Sequence, residues 1–252
     1  MGFLSSSLRV RARFRRCKRA WADHIENTRR AVLEAAGQCP RRRRAAVLGA
    51  GLLHDIPLAE LSSLFEEVIL VDIVHPWLSR VKANRFRNVS QISADITGVM
   101  EELYRVAPLT GQVLPISHPA LFTDDPRLDL TVSVNLLSQL PDVPGEYLHG
   151  LRSEPTVAAF QKQLVEAHLD YLARLPGHTA LITDIGVRRM IHDEPTLEEW
   201  DPLHGAQLPP AERTWQWRLA PSPEIRRGVD LYTTVAAYTD WKKALGGWLR
   251  QR

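Results

Sequence analysis

The amino-acid sequence predicts an α/β protein: a seven-stranded, mostly parallel, doubly wound sheet that ends in a C-terminal antiparallel hairpin, with helices on both faces. Three observations predict this fold. Apolar strand patterns alternate with amphipathic helical patterns from residue 45 onward, which is typical of a parallel sheet. One apolar strand runs directly into Gly49-Ala50-Gly51, and the next ends at Asp72. Near the end of the chain, two strand patterns follow each other without an intervening helix, so at least one of them is antiparallel.

The predicted elements follow one another in a regular order. Each predicted strand is a run of apolar or β-branched residues, and each predicted helix carries apolar residues at three- and four-residue steps. Proline or glycine stands at several of the helix boundaries, where a helix is expected to begin or end. The predicted strands are 45–48, 68–71, 89–93, 128–134, 179–183, 215–219 and 231–238, and the main predicted helices are 8–36, 57–65, 75–85, 100–106 and 155–175.

The chain is interpreted as a basic N-terminal helical extension, residues 1–44, followed by one α/β domain, residues 45–252. Lid-like insertions are predicted near 108–127 and 188–213, where the pattern is mixed or rich in charges and proline. The extension is strongly basic before its first acid, Asp23. A solvated helix face explains such a charge run, and an anionic partner, either nucleic acid or a lipid surface, is the alternative.

Composition narrows the class of protein. The 252 residues carry a formal net charge of +3 and are 44% hydrophobic, which is ordinary for a globular protein with a sizeable core. No apolar run is long enough for a transmembrane helix. Only Cys17 and Cys39 are present, and they form no CxxC pair, so neither a disulfide framework nor a zinc site is expected. The histidines show no metal-ligand spacing. These features predict a cytoplasmic protein without a metal.

The segment 45–72 carries the strongest functional signal. Glycines directly after a strand allow the backbone to turn tightly and to approach a ligand. An acid at the end of the following strand is placed to accept hydrogen bonds from ribose hydroxyls. Gly49, Gly51 and Asp72 occupy these positions. The spacing therefore predicts a site for a nucleotide-like cofactor at the carboxyl edge of the sheet.

The chain resembles the class I, Rossmann-like methyltransferases that depend on S-adenosylmethionine (SAM). The resemblance covers about residues 45–240 and rests on VLGAG (47–51), VILVD (68–72), SADI (93–96) and LTVSVNLLSQLP (130–141). It implies SAM as the cofactor and a domain 45–252 that binds it. The cofactor-binding residues implied are Gly49, Ala50 and Gly51 in the loop, Asp72 and Ile73 at the ribose, Asp95 and Ile96 at the adenine, and Asn135 and Leu136 beside the methyl group.

This sequence departs from the pattern of that family at two places. Val47 stands where the family usually has an acid, and Leu53 stands where a third glycine is common, so His54 and Asp55 are the nearest polar candidates for the methionine end of the cofactor. Two residues keep a second interpretation: Asp95 could simply cap the next helix, and Asn135 could satisfy backbone groups at the end of a strand.

The predicted function is methyl transfer from SAM to a small or medium-sized acceptor. His54 and His192 are the candidate catalytic bases, should the acceptor arrive protonated. Two alternatives stay open at this point. The fold could serve as a catalytically inactive binding or scaffold module in a complex, as the altered glycine loop would allow. An NAD(P)-dependent oxidoreductase shares the strand–glycine–helix–strand–acid layout.

Overall fold

The computed structural model describes residues 2–109, 111–192 and 197–251. Within these ranges no helix is both long and apolar enough to cross a membrane. The helices are α1 (Phe3–Cys17), α2 (Ala22–Gln38), α3 (Leu58–Leu64), α4 (Trp77–Ala83), α5 (Met100–Val106), α6 (Asp142–Leu148), α7 (Glu154–Arg174) and α8 (Trp241–Leu249). The strands are β1 (Arg44–Leu48), β2 (Glu67–Asp72), β3 (Val89–Ser93), β4 (Leu128–Val134), β5 (His178–Ile191), β6 (Leu197–Trp200), β7 (Arg213–Ala220) and β8 (Val229–Tyr238).

All described strands belong to one sheet with the order β3-β2-β1-β4-β5-β8-β7. Strands β1 to β5 pair in parallel, and β8 is antiparallel to both β5 and β7. The predicted fold class, including the terminal hairpin, is therefore confirmed. The strand order reverses between β1 and β4, and in open α/β sheets ligands bind in the crevice outside the strand ends at such a point.

Strand β5 is much longer than the sequence pattern predicts. The pattern predicts an end at residue 183, yet the strand continues to Ile191, because β8 pairs with it from Leu181 to that residue. Part of the predicted insertion 188–213 is therefore sheet, and β6 adds an eighth strand by pairing with this extension of β5. Residues 193–196 of the insertion lie outside the described ranges. Leu203 and Ala206, further along, are buried in the core.

The N-terminal extension forms two helices, whereas the sequence pattern predicts one. The chain turns between Cys17 and Ala22, and the turn buries both Cys17 and Trp21 against the sheet domain. The Trp21 indole N–H donates to the carbonyl of Leu219 on β7 at 3.0 Å. The turn between α1 and α2 therefore lies where Trp21 is anchored to β7.

Two of the four arginines at residues 41–44 are paired within the fold. Arg43 bonds Asp129 through its backbone N–H and its guanidinium. Arg44 pairs with both Glu67 and Asp125. These contacts secure the entry to β1 next to β2 and β4. Arg43 and Arg44 therefore have a structural explanation, and Arg41 and Arg42 are exposed.

Two apolar layers cover the faces of the sheet. On one face α2 packs Val32, Ala35 and Ala36 against the sheet, and all three are fully buried. On the other face α7 buries Val165 and Leu172, together with α8. Every residue of β4 is buried, as expected for a central strand covered on both sides.

His168, on α7, is a buried neutral histidine whose charge state couples stability to pH. Its Nε2 lies 3.0 Å from Ser133 Oγ, and burial lowers its pKa to about 3. Below about pH 6.5, His168 therefore binds a proton in the unfolded chain but stays neutral in the folded chain. The free energy of unfolding consequently decreases as the pH falls. At pH 5 the loss from this group is about 2 kcal/mol relative to pH 7.

We expect the substitution His168→Gln to remove this dependence. Denaturant titrations give the free energy of unfolding of the wild type and of the variant at each pH. The value for the wild type minus the value for the variant should be about 2 kcal/mol smaller at pH 5 than at pH 7. The carboxyl groups titrate in both proteins, so their contribution largely cancels in the difference. An equal difference at both pH values would show that His168 is not held neutral.

Candidate functional site

A cavity of about 240 Å³ opens at the carboxyl ends of β1, β2 and β4, where the strand order reverses. Residues from both segments of the N-terminal extension also line it. All nine predicted cofactor residues and His54 line this one cavity: Gly49, Ala50, Gly51, His54, Asp72, Ile73, Asp95, Ile96, Asn135 and Leu136. His192 is not among the lining residues.

The glycine loop lies unusually close to the end of β4. Gly49 has a φ of +79°, and a Cβ added there would lie 2.7 Å from the carbonyl oxygen of Val134 and 2.8 Å from Leu136 Cβ. Only glycine fits this close approach and this backbone conformation. Leu53, which stands where a third glycine is common, also has a positive φ of 57°. The backbone at Leu53 is therefore left-handed, as it would be at a glycine, and the leucine side chain is buried.

Asp72 forms a hydrogen bond with the glycine loop and also lines the cavity. Its Oδ2 accepts from the Gly51 N–H at 2.8 Å, and its Oδ1 accepts from the Val74 N–H at 3.1 Å. Burial raises the pKa of this carboxyl, and the backbone donors oppose the rise. A carboxylate offers about four acceptor positions, so each oxygen keeps capacity for a ligand hydroxyl. The side chain therefore positions the glycine loop and faces the cavity as well.

Asp95 caps helix α5, which is the second interpretation that the sequence left open. Its Oδ1 accepts from the Thr97 N–H and hydroxyl at 2.9 and 2.6 Å, and its Oδ2 accepts from the Met100 N–H at 2.9 Å. The residue also lines the cavity next to Ile96. Capping fixes the position of the carboxylate at the cavity wall, so the two interpretations are compatible.

Asn135 adopts a left-handed conformation, with a φ of 47°, directly after β4. Its Nδ2 donates to Asp55 Oδ2 at 2.7 Å, and its side chain lies 3.2 Å from His24 Nε2. The Trp215 indole N–H donates to His24 Nδ1 at 3.2 Å, and burial lowers the pKa of His24 to about 3. The histidine is therefore neutral. No local sequence pattern indicates that residues this distant in the chain meet Asn135.

The two histidines proposed as catalytic bases lie in different places. His54 lines the cavity, stacks on Phe14 at 3.5 Å between ring centroids, and has a pKa that burial lowers to about 4. It is therefore neutral at pH 7. His192 lies beyond the end of β5, where its Nε2 is 3.1 Å from Asp230 Oδ2. The structure brings His54 to the site and does not bring His192 there.

Helix α1 contributes to the wall of the cavity. Phe3 and Val10 line the cavity, and Phe3 also packs on the apolar cluster of α5, α6 and α7. Near its other end the helix is fixed by Arg16, whose guanidinium donates twice to Glu224 at 2.6 and 2.7 Å. The apolar residues at 3, 10, 14 and 17 follow one helix face, and this spacing is the sequence signal by which the contact of α1 with the site could be found.

Carboxylates dominate the polar lining. Besides Asp72 and Asp95, the cavity is lined by Asp55 and Asp142, and no described lining residue is Lys or Arg. Burial, together with the nearby charges of Glu146 and Asp184, raises the pKa of Asp142 to about 6. Nowhere in the described ranges do His, Cys, Asp and Glu side chains form a cluster that could hold a metal ion. The site is therefore suited to a ligand with positive charge.

No protein-family model and no curated protein matches the chain. Among solved structures it is similar to 1,6-didemethyltoxoflavin-N1-methyltransferase from Burkholderia thailandensis with bound 1,6-didemethyltoxoflavin and S-adenosylhomocysteine, at 14% identity, 94% and 89% coverage of the two chains, and a TM-score of 0.39. It is also similar to N-methyltransferase NodS from Bradyrhizobium japonicum with S-adenosylhomocysteine, at 11% identity, 85% coverage of each chain and a TM-score of 0.39. A likeness this distant does not determine the function, which has to be inferred from the strand order and cavity of this chain.

Fold and site together define a class of protein. The chain is an α/β protein with a Rossmann-like sheet, in which five parallel strands are followed by an antiparallel hairpin. Its cavity lies at the topological switch point and is lined by a glycine loop and by the acid that ends β2.

Proposed function

We propose that the protein is a SAM-dependent methyltransferase that acts on a small or medium-sized acceptor. One observation carries the proposal: Asp72 lies in the switch-point cavity with its carboxylate bonded to the glycine loop, where it can accept from the two ribose hydroxyls of an adenosine. The absence of lysine and arginine from the described lining supports a cofactor that carries a sulfonium and an ammonium group.

The residues present fit such a cofactor. Gly49 provides close backbone approach, because a side chain at that position would collide with Val134. Asp95 and Ile96 lie at the wall that would meet the adenine, and Asn135 and Leu136 lie at the reacting end. When bound, SAM supplies an activated methyl group, so the protein has mainly to align the reactants and exclude water. Phe3 and Val10 of helix α1 add apolar surface to the cavity wall.

Two groups in the cavity could accept a proton from the acceptor. His54 is neutral at pH 7, and its Nε2 is buried without a hydrogen-bond partner in the described chain. Asp142 has a pKa of about 6, close to the range in which a general base works well. His54 and Asp142 are therefore the candidate bases. His192 is not one of them, because it lies outside the cavity.

The size of the acceptor is inferred from the cavity itself. Phe3 and Val10 of α1 line the cavity, whose volume of about 240 Å³ supports a small or medium-sized acceptor. Exposed basic residues on and after α1, among them Arg15, Lys18 and Arg19, leave an anionic partner for the outer surface as a separate proposal.

The reduced cysteines agree with a cytoplasmic location, which we propose on that basis.

Thermal melting in the presence of candidate cofactors tests the proposed function. We expect SAM and S-adenosylhomocysteine to raise the melting midpoint in a concentration-dependent way, because a ligand that binds only the folded state stabilises it by mass action. NAD and NADP at the same concentrations should leave the midpoint unchanged. A rise with NAD or NADP alone would instead favour an oxidoreductase. Binding of SAM without turnover, in extracts that contain many acceptors, would favour the inactive binding module.

A further inference from the structure

The resemblance leads one to expect an acid just before the glycine loop, but Val47 stands at that position. A ligand cannot reach the side chain there. Val47 is fully buried in β1 and packs in the apolar core. No polar group can act from there. Either the methionine end of the cofactor has no acidic partner in this protein, or another residue supplies one.

Asp55 supplies a carboxyl group to the same cavity. It follows the loop directly and lines the cavity, in which part of its surface is accessible. Asn135 Nδ2 donates to its Oδ2 at 2.7 Å and so fixes its direction. The two nearby cations are bound elsewhere: Lys82 Nζ donates to the carbonyl oxygen of Leu52 at 3.3 Å, and Arg29 pairs with Glu60 at 3.7 Å.

The carboxyl group of Asp55 is therefore suited to a cationic ligand. Burial raises its pKa, and the hydrogen bond from Asn135 opposes the rise. An ammonium group brought against it would favour the charged form further, because an opposite charge at close range lowers the pKa of a carboxyl. No side chain of the described chain supplies that charge by direct contact, so a ligand is free to do so.

A donor without a partner lies near the same network. Trp217 lines the cavity, is only 8% exposed, and its Nε1–H has no hydrogen-bond partner among the described residues. Its ring stacks on His24 at 3.7 Å, and Trp21 packs edge-on against it at 4.8 Å, so the indole cannot easily turn to find another acceptor. A buried donor in such a position is normally satisfied by a ligand or by water.

A free carboxylate and an unpartnered N–H donor together complement an amino acid, which presents an ammonium and a carboxylate on one carbon. We propose that Asp55, positioned by Asn135, binds the ammonium of the methionine tail of SAM, and that the indole N–H of Trp217 binds the tail carboxylate. Asp55 thereby replaces the acid that the loop lacks at Val47. The inference rests on the proposed function, because it assigns the adenosine to the opposite end of the cavity, at Asp72.

Two probes separate the tail from the adenosine. S-adenosylhomocysteine carries the amino-acid tail, and 5′-methylthioadenosine has the same adenosine thioether without it. By titration calorimetry, wild-type protein should bind S-adenosylhomocysteine at least about 10-fold more tightly than methylthioadenosine. Equal affinities would overturn the inference and would leave the proposed function intact. Absence of binding by both probes would overturn the proposed function itself, and the inference with it.

Matched variants test which residue is responsible. In Asp55→Asn we expect the affinity for S-adenosylhomocysteine to fall about 10-fold to 100-fold, while the affinity for methylthioadenosine changes less than about 2-fold. In the control variant Asp72→Asn both affinities should fall by a similar factor, so their ratio is unchanged. A ratio unchanged in Asp55→Asn would overturn the assignment. Where a variant does not fold, the wild-type comparison of probes still tests whether the protein binds the amino-acid tail.

Discussion

Replacing Asp72 with alanine is expected to lower the affinity for SAM by about 100-fold or more. The substitution removes an acceptor for two ribose hydroxyls, and each hydrogen bond to a charged group contributes about 1.5–3 kcal/mol. It also releases the Gly51 N–H, which donates to Asp72 at 2.8 Å, so the glycine loop loses its tether. Titration calorimetry with S-adenosylhomocysteine measures the effect directly.

Two further variants make the result interpretable. Asp72→Asn keeps an acceptor oxygen for the loop but removes the charge, so its loss of affinity should be smaller, about 10-fold. Asp124→Asn removes an acid outside the cavity and should leave affinity unchanged. If Asp72→Ala binds the ligand as tightly as the wild type while retaining the wild-type circular dichroism spectrum, the cofactor site is not where we place it.

Replacing Gly49 with alanine is expected to destabilise the fold by about 3 kcal/mol. The left-handed conformation at φ +79° costs a non-glycine residue about 1–2 kcal/mol, and a Cβ 2.7 Å from the Val134 carbonyl forces one of the two strands to move. For a chain of this size the melting midpoint should fall by roughly 6–12 °C. The affinity for S-adenosylhomocysteine should fall as well, because the loop shifts away from β4.

Gly37→Ala is the matched control for this change. Gly37 lies in the last turn of α2, and an added Cβ there meets no atom within 4 Å. Alanine is the better helix former, so the control should raise stability by about 0.5 kcal/mol. Equal melting midpoints for Gly49→Ala and Gly37→Ala would show that the loop is not packed closely against β4.

Much of the fold could be predicted because it depends on local patterns. A period of two or of 3.6 residues identifies most of the strands and helices without knowledge of the rest of the chain, although it identifies neither α6 nor β6. The exceptions are elements whose length is decided by a distant partner. Strand β5 continues to Ile191 because β8 pairs with it, and the turn after Cys17 lies next to Trp21, whose partner Leu219 is on β7. Neither partner is near in sequence.

Some residues of the candidate site could likewise be predicted from the sequence, and others could not. Gly49, Gly51 and Asp72 could be located from the sequence, because strand ends in a parallel sheet meet at one edge and the spacing along the chain determines which residues stand there. His192 could not be located in this way, because a strand that runs past the edge carries the residue away from the cavity. Asp142 lines the site without any motif to mark it.

The sequence by itself determined the class of fold and the glycine-and-acid framework of the cavity, since both follow from the order of strands and the residues at their ends. Tertiary structure decided what surrounds that framework. Helix α1 lines the cavity with Phe3 and Val10, His24 and Trp215 fix the surroundings of Asn135, and Asp55 meets the cavity without a cationic side chain in direct contact. These contacts join residues 80 to 191 positions apart, and burial and hydrogen bonding between distant segments have no signature in local sequence.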